Sequence, residues 1–221
     1  MPPRFDIDGT VDGYTSFSGT GAPTAMVAAA ATWIRAFRPH LRASQVADVL
    51  RLSARDLERP GRDELTGWGL PQIHGALAKT APPADHGEPN DDIAFVDGTA
   101  LAVAARPIWS GGSPRTIRAR LDRFEYPADV YPLRLPAGAR VRVIVEPAWG
   151  DPDLAAFPKR TRSTNQQRRA LGRSRHVGGR VDSLVLNNRL DKARPYYVET
   201  RINRLARRID AAYALTVTSA R

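Results

Sequence analysis

Four hydroxyl side chains stand around two glycines in Ser16-Phe17-Ser18-Gly19-Thr20-Gly21-Ala22-Pro23-Thr24, and an alanine-rich run follows. A glycine turn that feeds a helix leaves backbone N–H groups unpaired and carries positive dipole character. It is therefore a natural seat for an exposed nucleophile or an anion. A hydroxyl becomes a useful nucleophile only with a base within about 3 Å. The four histidines, His40, His74, His86 and His176, all follow the turn, while Asp6, Asp8 and Asp12 precede it. Their spacing contains no His-x-x-x-His metal pattern. A second oxygen-rich set, Asn90, Asp91, Asp92 and Asp97, has the donor chemistry of a calcium site. It lacks a complete ligand loop, so the expectation is a solvated acidic segment and no cofactor. A third set is basic: Lys159, Arg160, Arg162, Arg168, Arg169, Arg173, Arg175 and Arg180, with no aromatic residue from 159 to 180. Without stacking rings it is not expected to bind nucleic acid by base readout. It reads as a long exposed loop, and any contact with an acidic surface is expected to map there.

The elements around these residues fall into two parts. Pro23 suits the first turn of a helix, where its missing N–H costs nothing. Ala25 to Ala31 has no polar face, so this helix needs cover all round. Ser44 is the expected N-cap of a second helix whose Val46, Val49 and Leu50 form one apolar stripe. Gly67-Trp68-Gly69 reads as a turn before a short last helix. Residues 81–92 are rich in Pro, Gly and acid, as linkers are. Beyond them the period changes to two. Thr116–Leu121, Val130–Leu135 and Arg140–Val145 alternate, and further strands are expected at Asp182–Asn187, Tyr196–Ile202 and Ala212–Thr218. Asp151 and Asp153 are expected to form a turn at a strand edge. Strands joined by short turns predict an antiparallel β-sandwich over 93–221. The fold class is α+β overall, with a helical part over 1–80, a linker over 81–92 and the sandwich.

The segment from Ser18 to Ala31 resembles the nucleophile loop of the subtilisin-like serine proteases. Gly19, Thr20, Val27 and the alanine run stand where that pattern has them, but Gly21 holds the serine position, Ala25 the proline position, and Pro23 comes two residues early. The helix from Ala43 and the turn at Thr66–Leu70 are similar to the two pieces that follow the loop in that family. The resemblance implies that 1–80 is the C-terminal part of a subtilisin-like α/β domain. In intact relatives the reaction would be peptide-bond hydrolysis by acyl transfer, with protein or peptide as substrate. The family's Asp, His and oxyanion-hole Asn come before its serine, and no His or Asn precedes Gly21 here. The catalytic position is therefore Gly21, flanked by Thr20 and Gly19, and the chain is expected to be inactive alone, a pseudoenzyme or fragment whose partner is the N-terminal part of a peptidase domain. The second part resembles the bacterial pre-peptidase C-terminal domain, through Glu88-Pro89-Asn90-Asp91, Asp129-Val130-Tyr131, Gly150-Asp151-Pro152-Asp153-Leu154 and Tyr213–Val217.

Composition is compatible with this reading. The chain has 221 residues, 42% of them hydrophobic, with a formal net charge of +10. That length accommodates two domains, and the apolar fraction argues against disorder throughout. Arginine supplies the positive charge, since lysine occurs only at Lys79, Lys159 and Lys192. Cysteine is absent, which excludes disulfides and thiolate metal sites. No apolar run is long enough to span a bilayer, and the first residues show no signal-peptide core. The resemblance nevertheless implies an extracellular protein. The alternative function is a non-catalytic sandwich that binds acidic surfaces or serves secretion.

Overall fold

Alanine-rich sequence with one isoleucine at helical spacing produces the first element of the computed structural model, which describes residues 19–58, 62–82, 85, 87–124, 126–206 and 208–220. Helix α1 runs Gly21–Phe37 and α2 runs Ala43–Ser53. A short α3 spans Ile73–Ala78 and a single-turn α4 spans Ile93–Val96. Eight strands follow: β1 Arg115–Asp122, β2 Ala128–Leu135, β3 Arg140–Trp149, β4 Pro152–Pro158, β5 Gly172–Ser174, β6 Asp182–Asn187, β7 Arg194–Ile202 and β8 Asp210–Ser219. The chain divides into two compact units, Met1–Ala84 and Asp85–Arg221.

In the first unit, Ala30 and Ile34 of α1 pack with Leu41, Val46, Val49, Leu50 and Ala76. The apolar stripe of α2 is buried as its spacing predicts. Its N-cap is Arg42 rather than Ser44, and the Gln45 side-chain carbonyl accepts from the Arg42 N–H at 3.1 Å. The side chain three residues into the helix thus reaches back to the N–H of the capping residue, a different donor from those an N-cap serine satisfies. Arg38 closes the far end of α1 by donating to the carbonyls of Ala76 and Lys79 at 3.0 and 2.8 Å. Leu70 and Arg55 exchange backbone hydrogen bonds at 2.8 and 2.9 Å. Gly69 sits beside that bridge at φ +98°, where a Cβ would lie 2.2 Å from the Arg55 carbonyl oxygen. Only glycine fits there. Much of α1 remains uncovered: Met26, Val27, Trp33 and Phe37 are 65%, 42%, 53% and 67% exposed.

The second unit is an antiparallel β-sandwich of two four-stranded sheets, ordered β1-β8-β3-β6 and β2-β7-β4-β5. The alternation read from sequence sends Ala119 and Leu121, Val141, Val143 and Val145, and Tyr213, Leu215 and Val217 into the space between the sheets. The opposite sheet contributes Tyr131, Leu133, Leu154, Tyr196 and Val198. Asp151 stands in the turn into β4, whereas Asp153 lies within that strand. Strand β4 escapes the alternation rule because both faces of its sheet are covered. Ala155 and Phe157 on its outer face are buried with Val130, Tyr197 and the two buried residues of α4, Ile93 and Val96. The outer face of the other sheet mixes polar and charged side chains with Ile144, Val185 and Ala214. Among the described residues, no helix is long and apolar enough to cross a membrane.

Candidate functional site

The structure puts Gly19, Thr20 and Gly21 at the head of α1. Thr20 is the N-cap residue, its carbonyl accepting the Thr24 N–H at 3.1 Å and the Thr24 hydroxyl at 2.7 Å. The Thr20 hydroxyl makes no capping bond. Gly21 is the first helical residue, and a Cβ there would meet nothing within 4 Å. A serine would fit without strain, so steric space does not explain the glycine. What remains at the position is a backbone N–H at a helix N-terminus, which can donate to an anion but cannot attack a carbonyl. His40 follows the C-terminal end of this 17-residue helix, about 25 Å from Gly21 at 1.5 Å per residue. His74 is exposed on α3. Ser16, Ser18, Asp6, Asp8, Asp12 and His86 lie outside the described residues.

The acidic segment is built differently from the expectation. Asp92 caps α4 by accepting the Ile93 N–H at 2.8 Å and also accepts the Thr164 N–H at 2.7 Å. Asp97 accepts the Thr99 N–H at 2.8 Å. Neither belongs to a common ligand set. Instead Asp85 and Glu88 meet Asp129 of β2, with ligand oxygens of all three within 4.8 Å of one another. Asp129 is fully buried, and Tyr213 and Tyr131 both donate to its Oδ2 while Oδ1 has no partner. Asn90 is 1% exposed with both side-chain polar atoms unpartnered. Its amide flanks Asp85: a Cβ built on Gly87 would lie 3.0 Å from Asn90 Nδ2 and 3.3 Å from an Asp85 carboxylate oxygen. Burial, then the negative charges of Asp91 and Asp85, push the Glu88 carboxyl up to about 7. Asp129 is raised well above the ordinary carboxylate range by burial and by Asp85. Asp129 is buried and Asp85 and Glu88 are half-buried, and oxygen donors crowded in this way suit a hard divalent cation such as calcium. Asn90 is the one residue of the sequence-derived set found here. Asp85 and Glu88 are near it in sequence, but Asp129 is contributed by a strand about forty residues later, a proximity that the fold alone creates.

A serine, a histidine and an aspartate also converge at the other sheet junction. His176 Nδ1 lies 2.7 Å from Asp182 Oδ1 and 3.3 Å from Ser174 Oγ, and the serine hydroxyl itself donates to Asp182 at 2.5 Å. A catalytic histidine needs one ring nitrogen for the acid and the other for the nucleophile. Here both partners share Nδ1, so the group is a structural clasp between β5 and β6.

Residues 159–180 are anchored rather than loose. Thr161 and Thr164 are 2% and 1% exposed, a 3₁₀ turn spans Gln167–Arg169, and β5 pairs with β4. Arg201 donates to Thr164 Oγ1 at 3.2 Å and to buried Glu199 at 2.6 Å. Arg169 and Arg175 donate within the segment, to the Arg160 carbonyl and to Gln167 Oε1. The arginines are still exposed at its surface. Sequence reading missed the anchoring because the buried residues are threonines rather than apolar side chains.

Residues 8–69 match the model of the subtilase family. No curated protein matches the chain. Among solved structures, the chain is similar to the pre-peptidase C-terminal domain of a collagenase from Bacillus anthracis, at 14% identity and TM-score 0.37 over 52% of this chain and 100% of that one. It is also similar to PliG, a periplasmic inhibitor of g-type lysozyme from Aeromonas hydrophila, at 12% identity and TM-score 0.33 over 52% and 100%. A family two carbohydrate esterase from Cellvibrio japonicus is similar at 7% identity and TM-score 0.23 over 48% of this chain and 34% of that one.

Proposed function

We propose that this chain joins a catalytically silent segment of a subtilisin-like peptidase domain to a non-catalytic β-sandwich. The observation that carries the first half is Gly21, which heads α1 where the subtilase pattern has its serine. A subtilase mechanism would need that serine to attack the peptide carbonyl, a histidine to take its proton, and an aspartate to orient the histidine. These 221 residues supply no hydroxyl at Gly21 and no histidine before it. Protein substrates and an extracellular setting belong to the family likeness, and the chain would serve them only together with a complementary peptidase segment. The exposed apolar side chains of α1 support such a segment as the partner. The test is reaction of the purified chain with a fluorophosphonate probe, and hydrolysis of casein. No labelling and no turnover are expected. Stoichiometric labelling of Thr20 or Ser18 would overturn the reading.

For the sandwich, the orphaned oxygens of Asp129 and Asn90 favour a structural cation held by Asp85, Glu88, Asn90 and Asp129. The ion would offset the negative charge of the cluster and tie the start of the second unit to β2. Calcium titration followed by calorimetry tests it. Absence of binding at neutral pH would remove the reading.

A further inference from the structure

The outer faces of the two sheets differ. That of β2-β7-β4-β5 is covered by α4 and by residues 159–171, whereas that of β1-β8-β3-β6 is open. On the open face the polar outward positions include Arg118 and Arg120 on β1, Thr216 and Thr218 on β8, and Arg140 and Arg142 on β3, with Ile144, Ala214 and Val185 as apolar positions among them. Register places Arg118 beside Ala214 and Arg142 beside Thr218. With about 4.8 Å between strands and about 3.4 Å per residue, these two arginines are roughly 17 Å apart. Arg140 extends the array along β3 by about 7 Å. Among the described residues, neither Arg118 nor Arg142 has a hydrogen-bond or ion-pair partner. Glu146 is the one acidic residue in the middle of the face, while Asp210 at its end is engaged by Trp149 and Arg208. Thr116 and Thr216 hydroxyls, 2.9 Å apart, lie between the arginines.

We propose that this open sheet face binds a linear acidic polysaccharide, its carboxylate or sulfate groups meeting Arg118 at one end and Arg142 at the other. The proposal deepens the alternative of a sandwich that contacts acidic surfaces, and it moves the contact from residues 159–180 to the sheet. Three features favour this partner. Charges separated by roughly 17 Å suit an extended polymer and not a small anion. Threonine hydroxyls between them offer donors and acceptors to sugar hydroxyls. One face of the Trp149 ring is occupied by the Arg120 guanidinium at 5.8 Å from its centroid, so the ring is a poorer stacking platform for a base. The sheet also holds its arginines at fixed spacing, whereas Arg169 and Arg175 are spent within their own segment.

The experiment compares retention of the full chain on immobilised heparin with a salt gradient, beside neutral dextran and duplex DNA in solution. Three variants are run: Arg118→Gln with Arg142→Gln, Thr116→Glu, and Arg168→Gln with Arg173→Gln. Circular dichroism checks that each is folded. The wild type is expected to bind heparin and not dextran. The double sheet variant is expected to lose about tenfold in affinity with a shallower salt slope. Thr116→Glu should lose binding as well, and the 159–180 variant should elute with the wild type. No heparin binding by the wild type would overturn the acidic-surface reading itself. Binding unchanged in both sheet variants would leave that reading and overturn the sheet face. Binding to duplex DNA as tight as to heparin would overturn the polysaccharide as partner.

Discussion

Gly21 places a residue without a side chain at the head of α1. Because a Cβ there meets nothing within 4 Å, Gly21→Ser should fold with unchanged thermal stability, within about 0.5 kcal/mol. It should also remain inert toward a fluorophosphonate, since a lone hydroxyl has no base. Measured turnover in that variant would mean that a base reaches it from elsewhere. Asp153 makes a second residue-level prediction. Burial pushes its carboxyl from 3.8 up to about 6, against the hydrogen bond from Asn203. The folded state therefore holds a proton that the unfolded chain releases between pH about 4 and 6, so stability from this group falls as pH rises through that window. Its side chain is 14% exposed, and the loss amounts to about 2–3 kcal/mol. Asp153→Asn should be more stable than the wild type at pH 7 and should converge with it near pH 4. Denaturant midpoints at both pH values check this; equal midpoints at pH 7 would sink it.

At the scale of elements, the turn between β3 and β4 is the most constrained. Gly150 has φ +77°, and a Cβ would lie 2.5 Å from the Asp210 carbonyl oxygen and 2.6 Å from Ala211 Cβ. Both the backbone conformation and the close approach to β8 require glycine. Gly150→Ala is expected to cost about 3 kcal/mol or more, read as a lowered thermal midpoint of the sandwich. Gly138, also at positive φ but with nothing within 4 Å, should cost less on the same change. The comparison separates backbone strain from steric conflict. Helix α1 is the opposite kind of element. Only Ala30 and Ile34 are buried along its length, so Met26→Lys should leave the fold intact and reduce self-association, as light scattering would show.

At the scale of the whole molecule, the two units differ in self-sufficiency. Residues 85–221 carry a closed core between two sheets and are expected to unfold cooperatively when expressed alone. Residues 1–84 leave large apolar side chains of α1 exposed and are expected to aggregate or melt without a sharp transition. Calcium at about a hundred times its dissociation constant should stabilise residues 85–221 by about 2.7 kcal/mol, and Glu88→Gln should abolish the effect. Circular dichroism melts with calcium and with chelator measure both. A calcium effect that survives in Glu88→Gln would place the ion elsewhere.

Period and composition alone determined a good deal. The apolar stripe of α2, the glycine turn at 67–69 and six strands, three of them by strict alternation, were legible because each depends on neighbours two, three or four residues away. The glycine turn Gly19-Thr20-Gly21 at the head of α1 was legible for the same reason, being a local motif. What depends on long-range proximity was not. Asp129 joins Asp85 and Glu88 only because β2 runs past the start of the second unit. Strand β4 lost its alternation because its outer face is covered by α4, which no local period records. The threonines that anchor 159–171 are polar residues whose burial follows from partners at Asp92 and Arg201. Local spacing follows from bond geometry and is written along the chain, whereas burial and charge crowding arise only when distant segments exclude water together.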